Sequence, residues 1–175
     1  KLSVIGDGFR FLRSILSIVF AYFPLKVFGP LGFANLAAAA AYGLGPVRFY
    51  LVSGHLQEDM IYRLLTVLTL ATAGATFLAF GLLAQKAADA ALGRPAGYLD
   101  RPGPRAAVLL AGVALWLGGV TLNARVIAEY AATGRISAHW SYVLTGSLAV
   151  LCGTVLVSLA VALVGFSRRP RPERP

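Results

Sequence analysis

Four stretches of this chain, residues 27–47, 64–85, 106–124 and 140–166, pass with almost no charge. Each is close to the roughly 20 apolar residues that a helix needs to cross a bilayer. Lipid offers the backbone no hydrogen-bond partner, so such segments must close their own bonds, as helices do. Asn35 interrupts the first stretch, Gly45-Pro46 ends it, and Thr121 and Asn123 fall late in the third. Only 13% of residues are charged, against about 25% in soluble domains, and mean hydropathy is +0.73. The expected fold is an all-α membrane protein: an N-terminal amphipathic interfacial helix, then four transmembrane helices as two hairpins. Its divisions are a juxtamembrane segment 1–26, a first hairpin 27–85, a loop 86–105, a second hairpin 106–166 and a basic tail 167–175.

The net charge of +9 would point to nucleic acid in a soluble chain. Here it tracks topology, and no nucleic-acid partner is expected. Lys1, Arg10, Arg13 and Lys26 outnumber Asp7 in the first segment. Lys86, Arg94, Arg101 and Arg105 outnumber Asp89 and Asp100 in the middle loop, and four Arg stand against Glu173 in the tail. The remaining two loops are nearly balanced. Cytoplasmic flanks collect Lys and Arg, so both termini and the middle loop are expected in the cytoplasm, as for a bacterial-type plasma-membrane protein. The middle loop and tail, rich in Pro, Gly and Arg, read as irregular.

An internal echo recurs at a spacing of 80 residues: Gly32 with Gly112, Tyr50 with Tyr130, Gly54 with Gly134, and Tyr62, Leu64 and Leu68 with Tyr142, Leu144 and Leu148. It points to two hairpins in parallel repeat. Burial does not drive spans together in lipid; small residues that admit close backbones do. Ala37, Ala38, Ala41 and Gly45, then Ala71, Gly74, Ala75 and Ala79, then Ala107, Ala111, Ala114 and Gly118, then Ala149 and Gly153, form such stripes. They suit a compact bundle or a homo-oligomer. Trp140 and Tyr142 suit an interfacial belt, and mid-span Trp116 suits packing. Asn35 and Asn123 suit interhelical hydrogen bonds.

The opening KLSVIGDGFRFLR mixes cations with apolar residues, and no A-x-A-like cleavage site follows, which argues against a signal peptide. Asp7, Arg10, Ser14 and Ser17 trace one helical stripe, with Phe9, Leu12, Leu16, Val19 and Phe23 largely away from it. Such a helix lies in the interface, Pro24 breaks it, and LKVF forms a second short interfacial piece. Its cations meet anionic lipid, or they bind a lipid phosphate beside an active site; the residues alone leave both open. His55, Glu58 and Asp59 in one loop and His139 in another could bind metal or move protons, but solvated loop positions account for them, and no metal ligands or catalytic residues are assigned. Cys152, the single cysteine, permits no internal disulfide. The apolar windows hold no mid-span ionisable residue, which argues against an ion pathway.

KLSVIGDGFRFLR, followed by FGPLG and a long apolar hairpin, resembles the C-terminal membrane region of family-2 glycosyltransferases, of the polyprenyl-phosphate (dolichol-phosphate) sugar transferase type. In that family a Gly-x-Ser-Lys run leads into a juxtamembrane helix of the form Asp-Gly-aromatic-Arg-x-Leu-Arg, which Asp7, Gly8, Phe9, Arg10, Leu12 and Arg13 match. Lys1 matches the lysine of the Ser-Lys pair. The likeness covers the whole chain in architecture and stops near residue 35 in sequence. It implies a Rossmann-like catalytic domain upstream of Lys1, with an Asp-x-Asp motif, Mg²⁺ or Mn²⁺, and a nucleotide sugar whose hexose passes to polyprenyl phosphate. This chain holds no Asp-x-Asp, so this fragment alone is expected to be inactive and to supply the anchor and the lipid acceptor site. The resemblance implies lipid-phosphate-binding roles for Lys1, Arg10, Arg13 and Lys26. Two rival readings are a stand-alone four-span protein that binds or translocates lipid-linked sugar, and a structural membrane module.

Overall fold

The computed structural model describes residues 4–95, 101–136 and 139–167, and among them it contains five α-helices and no strand. They are α1 (Val4–Tyr22), α2 (Pro24–Ser53), α3 (Ile61–Ala91), α4 (Pro102–Thr133) and α5 (Trp140–Ser167), with one 3-10 turn, Glu58–Met60, before α3. The last four helices are long and apolar enough to cross a membrane. The fold is that of an all-α membrane protein. At about 1.5 Å per residue each exceeds a hydrocarbon core of about 30 Å, so the ends project into the headgroup layer or the helices tilt.

The helices overrun the windows drawn on hydropathy. α2 starts at Pro24, because proline at the first helical position gives up an N–H that has no partner there anyway. It then continues through Pro30 and Pro46. LKVF is therefore the first turn of α2, not a separate interfacial piece. Each internal proline frees one carbonyl four residues back, at Lys26 and Tyr42.

α2 packs on α3 and α4 on α5, and the two hairpins meet mainly through α3 and α5. Glycines make the crossings. A Cβ on Gly32 would lie 2.9 Å from the Gly74 carbonyl oxygen, and one on Gly153 would lie 2.7 Å from that of Gly112. The alanine stripes of the first and third spans do not take part: Ala37, Ala38, Ala41, Ala107, Ala111, Ala114 and Gly118 are exposed. A methyl group holds backbones apart where hydrogen does not, so glycine takes these crossings and the stripe alanines of α2 and α4 face out, while Ala39, outside the stripe, is buried. Gly74, Ala79 and Gly153 are buried, as their stripes required. Asn35 donates to the Leu31 carbonyl within its own helix, and Asn123 packs against Gly146 with its Oδ1 unpaired, so neither makes the interhelical bond expected. Trp116 packs through its backbone, against Gly153, and leaves its side chain exposed.

The echo is visible in how α2 and α4 end. Gly54 and Gly134 both take positive φ, 72° and 67°, and donate their N–H to Tyr50 and Tyr130. The preceding hydroxyls, Ser53 and Thr133, lie within hydrogen-bond reach of the carbonyl four back and of the one two on. The spacing is 80 residues at each of these points. The second loop is one residue shorter, so at the crossings α5 corresponds to α3 at a spacing of 79, as Gly153 does to Gly74. The matches of Tyr62, Leu64 and Leu68 thus fall one residue out of structural register. Alanine at Gly54 or Gly134 is expected to lower stability by about 1 kcal/mol, read as a shift in detergent-solubilised thermal unfolding.

At the end of the bundle away from these loops, Ala79 of α3 meets Leu159 and Leu163 of α5, with Val108 of α4 against them. At that same end Phe28 of α2 stands between Phe20 of α1 and Phe77 and Phe80 of α3, with ring centroids 5.7, 6.2 and 4.9 Å away. Gly81 makes room for Phe28, whose Cβ would be 2.8 Å from any Cβ placed there. This cluster holds the last turns of α1 to the first hairpin.

Candidate functional site

The site is built where α1, α2 and the end of α3 converge. α3 ends in a Schellman motif: Gly93 takes φ 64°, its N–H reaches the Ala90 carbonyl, and the Arg94 N–H bonds the Asp89 carbonyl at 2.9 Å. That places Arg94 beside the break between α1 and α2. Its Nη1 donates to Asp89 Oδ1 at 3.1 Å and to the carbonyl of Tyr22 at 3.2 Å. Tyr22 closes α1, where carbonyls lack intrahelical donors. Gln85 donates to the same Asp89 Oδ1 at 2.8 Å, so the carboxylate is held from two sides.

Phe23, the residue between the two helices, carries two cations. Lys26 Nζ lies 4.4 Å and Arg94 Cζ 4.9 Å from its ring centre, both within cation–π range. The break expected at Pro24 is therefore a clamp made of one aromatic ring, two cations and a helix C-terminus.

Neither a family model, nor a curated protein, nor a solved structure matches the chain.

Of the four cations implied by resemblance, Lys26 sits in this clamp. Arg10 and Arg13 lie on α1 and are exposed, with Arg13 nine residues, or about 14 Å of helix, before Tyr22. Arg10 approaches Asp7 at 3.9 Å with its side chain 88% exposed, a pairing of little energetic weight. Lys1 lies outside the described residues. The structure thus leaves Arg10 and Arg13 exposed on α1 and seats only Lys26 in the clamp. Arg94, which lies over the same Phe23 ring as Lys26, is in the sequence only one more loop charge. The sign was present: Gly93 just past an apolar helix, with a residue placed to close a Schellman motif.

α1 itself exposes apolar side chains along its length, including Phe9, Phe11, Leu12, Ile15, Leu16 and Ile18. Water does not tolerate so continuous an apolar surface on a monomer; a lipid interface does. Glu58, Asp59 and His55 are exposed at the opposite end of the bundle. Among the described residues no three His, Cys, Asp or Glu side chains stand together as a metal site.

Proposed function

We propose that this chain is the membrane region of a polyprenyl-phosphate glycosyltransferase, anchoring a catalytic domain that lies upstream and presenting the lipid acceptor to it. The observation that carries the reading is α1: an exposed apolar helix bearing Arg10 and Arg13, and ending in the Lys26–Phe23–Arg94 clamp. The likeness of KLSVIGDGFRFLR and FGPLG to that family supports it. In this reading the helix lies in the cytoplasmic leaflet, where the excess of Lys and Arg in the connecting segments puts it. Its cations meet the acceptor phosphate at headgroup depth. That phosphate is already ionised, so the work left to the protein is positioning and charge stabilisation. Nucleotide sugar and Mg²⁺ or Mn²⁺ belong to the upstream domain.

The test is binding of a labelled polyprenyl phosphate to the chain in phosphatidylcholine nanodiscs. Each cation near the surface contributes about 1 kcal/mol, so Arg10→Gln, Arg13→Gln and Lys26→Gln should each weaken binding roughly fivefold. Polyprenol without its phosphate should bind far less. Equal binding of polyprenol, or undiminished binding by the triple variant, would overturn the reading.

A further inference from the structure

A second feature lies at the other end of the bundle and does not depend on the function proposed above. Between the loop ends of the two hairpins is a cavity of about 440 Å³, within the range of small-molecule sites. Pro46 of α2, Leu64 of α3 and Leu122 of α4 give it an apolar floor, and His55, His139, Ser141 and Thr145 bring polar groups to it. No Lys, Arg, Asp or Glu is among the described residues that line it. A phosphate or carboxylate entering it would shed hydration and meet no carboxylate-pairing cation among those described residues.

The two imidazoles are set in opposite senses. His55 Nδ1 lies 2.9 Å from the Ser53 carbonyl oxygen; a carbonyl only accepts, so Nδ1 donates, and in the neutral ring Nε2 is the acceptor. His139 Nδ1 receives the Ser141 backbone N–H at 3.3 Å and stands 2.9 Å from Ser141 Oγ. A backbone N–H only donates, so this Nδ1 accepts and Nε2 carries the hydrogen. With both rings neutral, the residues lining the cavity thus include one imidazole acceptor and one imidazole donor, the pair that a hydroxyl, itself both donor and acceptor, can satisfy. The cavity is half open between the spans, so a hydrocarbon chain from the surrounding lipid can lie on its apolar floor.

We propose that this cavity binds a neutral amphiphile from the surrounding leaflet: a hydrocarbon chain with an uncharged, hydroxyl-bearing head. Trp140, whose ring centre is 4.8 Å from that of His139, is a built-in reporter, and the chain has 2 tryptophans in all. In a Trp116→Phe chain in phosphatidylcholine nanodiscs, a chain-brominated monoacylglycerol should quench Trp140 saturably, several-fold more than brominated phosphatidylcholine at equal mole fraction. Thr145→Phe, which fills the cavity from α5, should reduce the quenching to the phosphatidylcholine level. Leu122→Phe should do the same from α4, so that a folding defect in one variant leaves the other informative. Quenching that rises linearly and equally with both lipids, or that persists in both filled variants, overturns the proposal. So does tighter saturation by a brominated phosphatidic acid, which would assign the cavity to a charged head.

Discussion

Valine in place of Gly119 is expected to unseat the second hairpin, while valine at Gly118, one residue earlier, is expected to leave it in place. A Cβ at Gly119 would stand 2.5 Å from the Gly146 carbonyl oxygen and 2.7 Å from the Val150 nitrogen. Both neighbours are backbone, so no side chain can swing away and α4 must separate from α5. Overpacking of this kind costs about 1–3 kcal/mol and sometimes more, and here the branched side chain adds to it. At Gly118 nothing lies within 4 Å, and a surface change of that sort stays within about 0.5 kcal/mol. Circular dichroism during unfolding in mixed detergent, with both variants beside the parent, gives the comparison. Equal midpoints for the two variants would remove the glycine crossing from the account of how α4 and α5 pack.

Arg94→Ala is expected to free α1 from the bundle. The change removes the donor to the Tyr22 carbonyl, one cation from Phe23 and the partner of Asp89 in a single step. Asp89 keeps Gln85, so the loss is partial. The Asp89–Arg94 pair is about two-thirds shielded from solvent, and charged hydrogen bonds contribute about 1.5–3 kcal/mol, reduced here by the solvent that remains. The Phe20–Phe28 contact remains, but it holds one face of α1 only. Spin labels at Ala21 and Ala87, in a Cys152→Ala background, report the separation of α1 from α3. A narrow distance distribution should broaden in Arg94→Ala while the four spans keep their helicity. A distribution as narrow as the parent's would mean that the aromatic cluster alone seats α1.

The spans and their pairing were legible because lipid imposes a simple demand, a long apolar run, and short loops force neighbours to be antiparallel. The helix limits were less so, since hydropathy stops where charge begins while backbone bonding runs on: α2 back to Pro24 and α3 on to Ala91. The packing stripes were half legible. Small size marks both the crossing glycines and the outward alanines, and only the crossing geometry tells Gly112 and Gly119 from Ala111 and Gly118. Arg94 escaped for another reason. Its place is set by a backbone motif and by a partner, Tyr22, 72 residues away, and no local pattern encodes that distance. Lys26 was found, but the ring that orients it was read as one more apolar residue of the interfacial helix.

The two hairpins repeat in how they cross but not in what they offer to anything that enters between them. The shorter second loop keeps the crossing itself: Gly153 lies against Gly112 as Gly74 lies against Gly32. α2 gives the cavity Pro46, Val47, Tyr50 and Leu51, whereas α4 gives it Leu122. A faithfully doubled hairpin would have presented two interchangeable walls, and a guest could have entered in either of two equivalent poses. The walls here are chemically distinct, which removes that equivalence.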